Sequence, residues 1–234
     1  MRSLHVLVAA LVVLATPASQ AQNNPHHHPI EALPAGAAPG AKPVVHSAHN
    51  HDVGPAGRTY ELRWLDAMVQ HHIGALRMSE YVFDIGVPGV GALAKEIWRD
   101  QAQEIKAMGQ WRRAWYPEAP VYPVVLIAGG DPNALADLTP MGAARMQAMR
   151  MMVSTPTRDN RVIWFLEGML HHHGGALSMA HDALRNSRNP TLLRLARNII
   201  LKQRVEIIQI RRMLQHNGLH KPEYFHYDKL FFLR

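Results

Sequence analysis

Cysteine is absent from all 234 residues of this chain. Without it there is no disulfide framework and no thiolate to bind a metal. Phenylalanine is scarce, at 5 copies, whereas histidine (16) and methionine (12) stand out. Any soft-metal binding therefore falls to imidazole and thioether. No recognisable nucleic-acid motif accompanies the excess of basic residues, and no nucleophile–base arrangement is apparent. The glycine-rich "GVPGVG" (86–91) lacks the strand and helix that a dinucleotide fingerprint requires. Beyond the N-terminus, no stretch is long and apolar enough to span a bilayer.

What is present begins with residues 1–21, "MRSLHVLVAALVVLATPASQA". Arg2 supplies a positive start, Leu4 to Ala15 an apolar run, and Ser19-Gln20-Ala21 a small-residue cleavage site, the pattern of a secretory signal. The run is shorter than the roughly 20 residues of a spanning helix. A periplasmic or secreted, soluble mature protein is the expectation. An oxidising compartment also suits a site that has no thiolate to lose to a disulfide. Removing Arg2 takes the formal +7 to about +6. The densest basic points, "WRRAW" (111–115) and "IRRML" (210–214), read as solvated helix faces.

Residues 22–57 are rich in Pro, Gly and Ala without periodicity and read as a flexible linker. They carry His26, His27, His28, His46, His49 and His51, a set able to hold Cu(II), Ni(II) or Zn(II) loosely.

An internal repeat follows. Leu65, Met68, His71, His72, Gly74, Ala75, Leu76 and Met78 match Leu166, Met169, His172, His173, Gly175, Ala176, Leu177 and Met179. One residue of slip later, Pro88, Leu93, Ala94, Ile97, Gln101, Glu104 and Ile105 match Pro190, Leu195, Ala196, Ile199, Gln203, Glu206 and Ile207. Each unit reads helix, Pro-containing loop, helix. The predicted helices span 59–84, 90–115, 159–185 and 191–216, with Thr157 or Asp159 capping the third and a stop near Gly218. Repeat one is thus 59–115, repeat two 158–216, and 116–157 joins them, holding a short helix within 141–152. Two αα-hairpins bury their stripes most simply as an all-α four-helix bundle over 58–216. The aromatic tail, 217–234, is expected to pack back onto it.

Core seams alternate spacings of four and three. Trp64, Met68, His71, Ala75, Met78 and Val82 fit that spacing, as do Phe165, Met169, His172, Ala176, Met179 and Ala183. His72 and His173 lie beside the seams. On the partner helices Gln101 and Glu104, and their copies Gln203 and Glu206, occupy inward positions. A buried carboxylate needs a partner, and the seam His are the nearest. Glu104 and Glu206 can each accept from one ring nitrogen while the other meets a metal. The Met-rich "MQAMRMM" (146–152) reads first as an apolar helix face, and alternatively as a Cu(I) loading patch.

"WLDAMVQHHIGALRMSEYV" with "LAKEIWRDQAQEIKAMGQW", and "FLEGMLHHHGGALSMAHDAL" with "LKQRVEIIQIRRML", resemble the bacterial family called domain of unknown function three-hundred-and-five. The resemblance covers roughly 59–216. It implies a ferritin-like four-helix bundle. It also implies copper, because CopM-type members are exported copper-binding proteins. The matching ligand positions are Met68, His71, His72 and Met78, with Met169, His172, His173 and Met179. The chain departs from the pattern at Ile73 and Gly174, where Gln is usual, and in the extra His171.

Ligand softness points to copper independently, since thioether with imidazole favours Cu(I) and tolerates Cu(II) where His dominates. Ca and Mg want oxygen ligands. The rival reading is a metal-dependent oxidase with a di-iron centre, which needs more carboxylates than the seams offer. Asp66 and Glu167 fall off the seams. A structural bundle without metal is the third reading. The expected partners are a metal ion and periplasmic copper-handling proteins, with no nucleic acid.

Overall fold

Residues 51–85, 89–152 and 154–233 are described by a computed structural model. The signal stretch, linker residues 22–50 and Pro88 lie outside the described residues. The protein is mostly helical. Helix α1 runs Tyr60–Glu80 and α2 Val90–Trp115; a short α3, Ala143–Arg150, precedes α4, Arg161–Asn186, and α5, Pro190–His216. The four long helices follow the spacing of the seams. Helix α1 stops four residues before the expected end, and 81–84 form turns.

The ends have local causes. The Asn189 side chain accepts from the N–H groups of Thr191 and Leu192, and Pro190 opens α5 where its missing N–H costs nothing. Gly218, at φ 77°, follows the end of that helix. Neither Thr157 nor Asp159 caps α4. Asn160 holds the cap position, and its Oδ1 accepts instead from Thr157 N at 2.8 Å.

Helix α1 packs on α2, α4 on α5, and α1 on α4. Trp64 donates to the Met179 carbonyl at 2.9 Å, and His172 Nε2 lies 2.7 Å from the His71 carbonyl. Met78 Sδ faces Gly168. Rising numbers on α1 thus meet falling numbers on α4, so the two run antiparallel and cross near His71 and His172. Every seam residue of α1 and α4 is buried. Each large apolar side chain removed from water there stabilises the fold by about 1.5–3 kcal/mol.

Three expectations need correction. The fold is not purely helical: β1 (Val124–Leu126) pairs antiparallel with β2 (Leu138–Pro140) in the connector. The strands form where Val124 is pinned, its N–H donating to buried Asp66 at 2.9 Å. Residues 51–57 are not free linker. His51 and Val53 are buried, Arg63 holds the Val53 and Pro55 carbonyls, and a Cβ on Gly57 would clash with Pro132. The densest basic points are not simply solvated. Arg112 pairs with Asp66 at 2.5 Å, and the Arg211 guanidinium lies 4.5 Å from the Phe225 ring centre.

The connector is drawn onto α1 by α3. Gly74 leaves room for the Arg150 carbonyl, with which any Cβ would collide, and the Arg150 guanidinium binds Gln70 Oε1 at 2.8 Å. Met151 then turns the chain in the left-handed region, φ 54°, at a cost of about 1–2 kcal/mol for a residue with a Cβ. The tail packs back as expected. Tyr224 is buried, the Leu230 carbonyl lies 2.8 Å from His181 Nε2, and Tyr227 covers Gly174, where a Cβ would run into its ring. That overlap explains why Gly stands where the resemblance implies Gln.

Candidate metal centre

The antiparallel crossing brings both His pairs into one interior. His71, His72, His172 and His173 are each 0% exposed, and so are Met68 and Met169. The His71 and His172 ring centres lie 3.8 Å apart, in the middle of the α1–α4 contact. His72 and His173 flank them, each 6.3 Å from its neighbour in sequence.

The carboxylates meet the outer His and not the seam His that were expected as their partners. His72 Nε2 is 2.6 Å from Glu104 Oε2, and His173 Nε2 is 2.7 Å from Glu206 Oε2. The first is a formed hydrogen bond; in the second the approach is close but the ring N–H is not aligned on the oxygen. In both rings Nδ1 has no partner. A small cleft of about 10 Å³ between α2 and α5, lined by Gln101, Glu104, Gln203 and Glu206, lies behind them. That is room for about one water.

The inner rings are more exceptional. His71 has no hydrogen-bond partner at either nitrogen, and His172 has none at Nδ1. A buried polar group left unpaired costs about 1–3 kcal/mol. Burial, reinforced by the neighbouring rings, holds His71 and His172 well below the ordinary imidazole range. Both are neutral at pH 7, the state in which imidazole binds metal. The donor set therefore fits a soft cation. Among the described residues no three His or carboxylate side chains are arranged as they stand to hold a metal.

The eight motif residues do not close on one point. Met68 and Met169 lie one turn from the inner His, on opposite sides of the ring layer. Met78 and Met179 lie seven residues from His71 and His172, about 10 Å along each axis, and again in opposite directions. The carboxylates at the off-seam positions are engaged elsewhere. Asp66 binds Arg112 and Val124 N, and Glu167 binds Lys221 at 2.6 Å and the Tyr224 hydroxyl. A di-iron centre would need carboxylates beyond Glu104 and Glu206 at the rings, and Asp66 and Glu167 face away.

Two residues at the centre fall outside the motif. His51 packs edge-on against His71 with ring centres 5.3 Å apart, and its Nε2 is 3.2 Å from Met151 Sδ. Their place was not readable from periodicity, although the linker His cluster and the Met-rich run contain them.

The family profile "Domain of unknown function (DUF305)" matches residues 61–214. Among solved structures, CopM in the Cu(I)-bound form is 26% identical, with 67% of this chain and 96% of that chain aligned at TM-score 0.50. A DUF305 fragment from Deinococcus radiodurans is 25% identical over 70% of this chain and 99% of that one, at TM-score 0.51. A DUF305 protein from Streptomyces coelicolor, 21% identical over 69% and 95% at TM-score 0.50, speaks for the fold alone. No curated protein matches the sequence.

Proposed function

This chain belongs to the DUF305 family, and on that premise we propose that it is an exported copper-binding protein that sequesters Cu(I) or hands it on. The observation that carries the reading is the buried layer of His71, His72, His172 and His173, with five ring nitrogens unpartnered among methionines. Unpaired polar groups at that depth destabilise the empty protein, so a ligand that uses them offsets the cost. The likeness to CopM in the Cu(I)-bound form supports copper as that ligand.

In this reading Met68, His71, His72, Met78, Met169, His172, His173 and Met179 are the motif ligands. Glu104 and Glu206 orient His72 and His173 through Nε2 and leave Nδ1 toward the metal. Thioether and neutral imidazole select Cu(I), with Cu(II) accepted where His predominates. Because the methionines lie on opposite sides of the ring layer, two copper positions are favoured over one shared ion. The four long helices are read as a ferritin-like four-helix bundle, repeated by duplication. The 1–21 stretch is read as a cleaved signal that delivers the chain to the periplasm and its copper-handling partners.

Anaerobic titration of the full mature protein with Cu(I) against a chromophoric chelator tests this reading. Submicromolar or tighter binding is expected, lost when the four His are changed to Ala. Micromolar or weaker binding in the unaltered protein would sink it. Sustained oxygen uptake with Cu(I) or Fe(II) would replace it with an oxidase.

A further inference from the structure

Gly175 lies one turn beyond His172 on α4, and what surrounds it is not part of the duplicated pattern. A Cβ built there would sit 2.8 Å from His51 Nε2 and 3.0 Å from His71 Nε2. One point in space, kept open because this residue has no side chain, is therefore within about 3 Å of two imidazole nitrogens. The His71 nitrogen has no hydrogen-bond partner and its ring is wholly buried. The His51 ring is 8% exposed, and Met151, 5% exposed, brings Sδ to 3.2 Å from His51 Nε2. The two nitrogens are thus at most about 6 Å apart, and metal–imidazole bonds are about 2 Å long, so movements on the order of 1 Å let one ion between them, clear of the Gly175 Cα, bond to both.

We propose that His51, His71 and Met151 form a soft-metal site beside Gly175, built once per chain. The family motif contributes only His71 to it. The inference rests on the copper reading above and adds ligands which that reading lacks. Two imidazoles and a thioether suit Cu(I), and they offer nothing to hard cations that want oxygen. The corresponding position on α1, Gly74, holds the Arg150 carbonyl instead. The backbone that fills one glycine notch thus delivers Met151 to the ligands at the other. The segment just before α1 and the connector after β2 become parts of the centre rather than its packaging.

The test uses the full mature protein and Cu(I) alone. Affinity and stoichiometry come from chelator competition, and the sulfur and nitrogen neighbours from X-ray absorption at the copper edge. Met151→Leu and His51→Gln should each weaken one copper at least tenfold or remove it. Met151→Leu should also lower the sulfur contribution. Gly175→Ala, which removes no donor atom, should weaken the same copper by displacing both rings. Helical circular dichroism of the metal-free variants establishes that they are folded, and if Gly175→Ala is not, Met151→Leu decides. Tight copper binding that survives Met151→Leu and His51→Gln, with unchanged sulfur scattering, overturns this site and leaves the copper reading standing. Failure of the unaltered protein to bind Cu(I) overturns the copper reading and this site with it.

Discussion

The two hairpins carry the same inward-facing residues yet meet different neighbours on their outer sides. On α1, Asp66 is buried, binds Arg112 and ties down β1, while Gly74 seats the end of α3. On α4, Glu167 at the matching place binds Lys221 and Tyr224 of the tail, Gly174 lies under Tyr227, and Gly175 faces His51. The inner faces, by contrast, are nearly interchangeable, with His72–Glu104 at 2.6 Å and His173–Glu206 at 2.7 Å. The four His and their two Glu lie where the halves agree, and His51 with Met151 where they differ.

The largest expected effect breaks the inner likeness. Changing His71 and His172 together to Leu should weaken Cu(I) binding by a thousandfold or more, about 4 kcal/mol, read by chelator competition. The same change should leave the metal-free protein equally or more stable in urea, because it removes unpaired buried nitrogens. A large loss of metal-free stability would show that these rings are structural.

Next come the off-seam carboxylates. Asp66→Asn leaves the Arg112 guanidinium without its buried partner and should cost about 3 kcal/mol. Glu167→Gln, in a partly exposed pair, should cost about 1 kcal/mol or less. Equal losses in denaturant melts would erase the distinction between the covers. Smaller still is the contrast at the two departures from the family pattern. Gly174→Gln must displace Tyr227 and should cost about 2 kcal/mol. Ile73→Gln has no such obstacle and should stay within about 0.5 kcal/mol.

The pH dependence follows from His71 and His172, whose folded affinity for protons is depressed by burial. Below about pH 6.5 the unfolded chain takes up protons that the folded one refuses. Metal-free stability is therefore complete above that pH and falls as the solution is acidified, by about 1.4 kcal/mol per pH unit for each ring. Urea midpoints that stay flat between pH 7.5 and 5 would contradict this. Copper binding should persist to lower pH than an exposed His site allows, since these rings need shed no proton at pH 6.

Much of this was legible in the residues alone. The seam spacing located α2, α4 and α5 within two residues at each end, and placed Met68, His71, Met169 and His172 in the core. That Glu104 and Glu206 would find a His followed from the cost of burying a carboxylate, but the partners are His72 and His173 beside the seams and not the seam His71 and His172. What escaped depends on contacts between distant parts of the chain. His51 meets Met151 across 100 residues, and nothing in the Pro, Gly and His around it sets it apart from the low-complexity run before it. The three-residue strands are too short for an alternating pattern, and they form where Asp66 holds Val124. Arg112 read as solvated because the carboxylate that claims it is 46 residues away.

The complete enclosure of the four His rings has a kinetic consequence. An ion bound there has no direct line to solvent, so its exchange is timed by how often the surrounding wall parts and not only by the strength of the bonds to it. The stretch ahead of α1 is tied down by Arg63 and Arg145, so opening that part of the wall breaks several hydrogen bonds together.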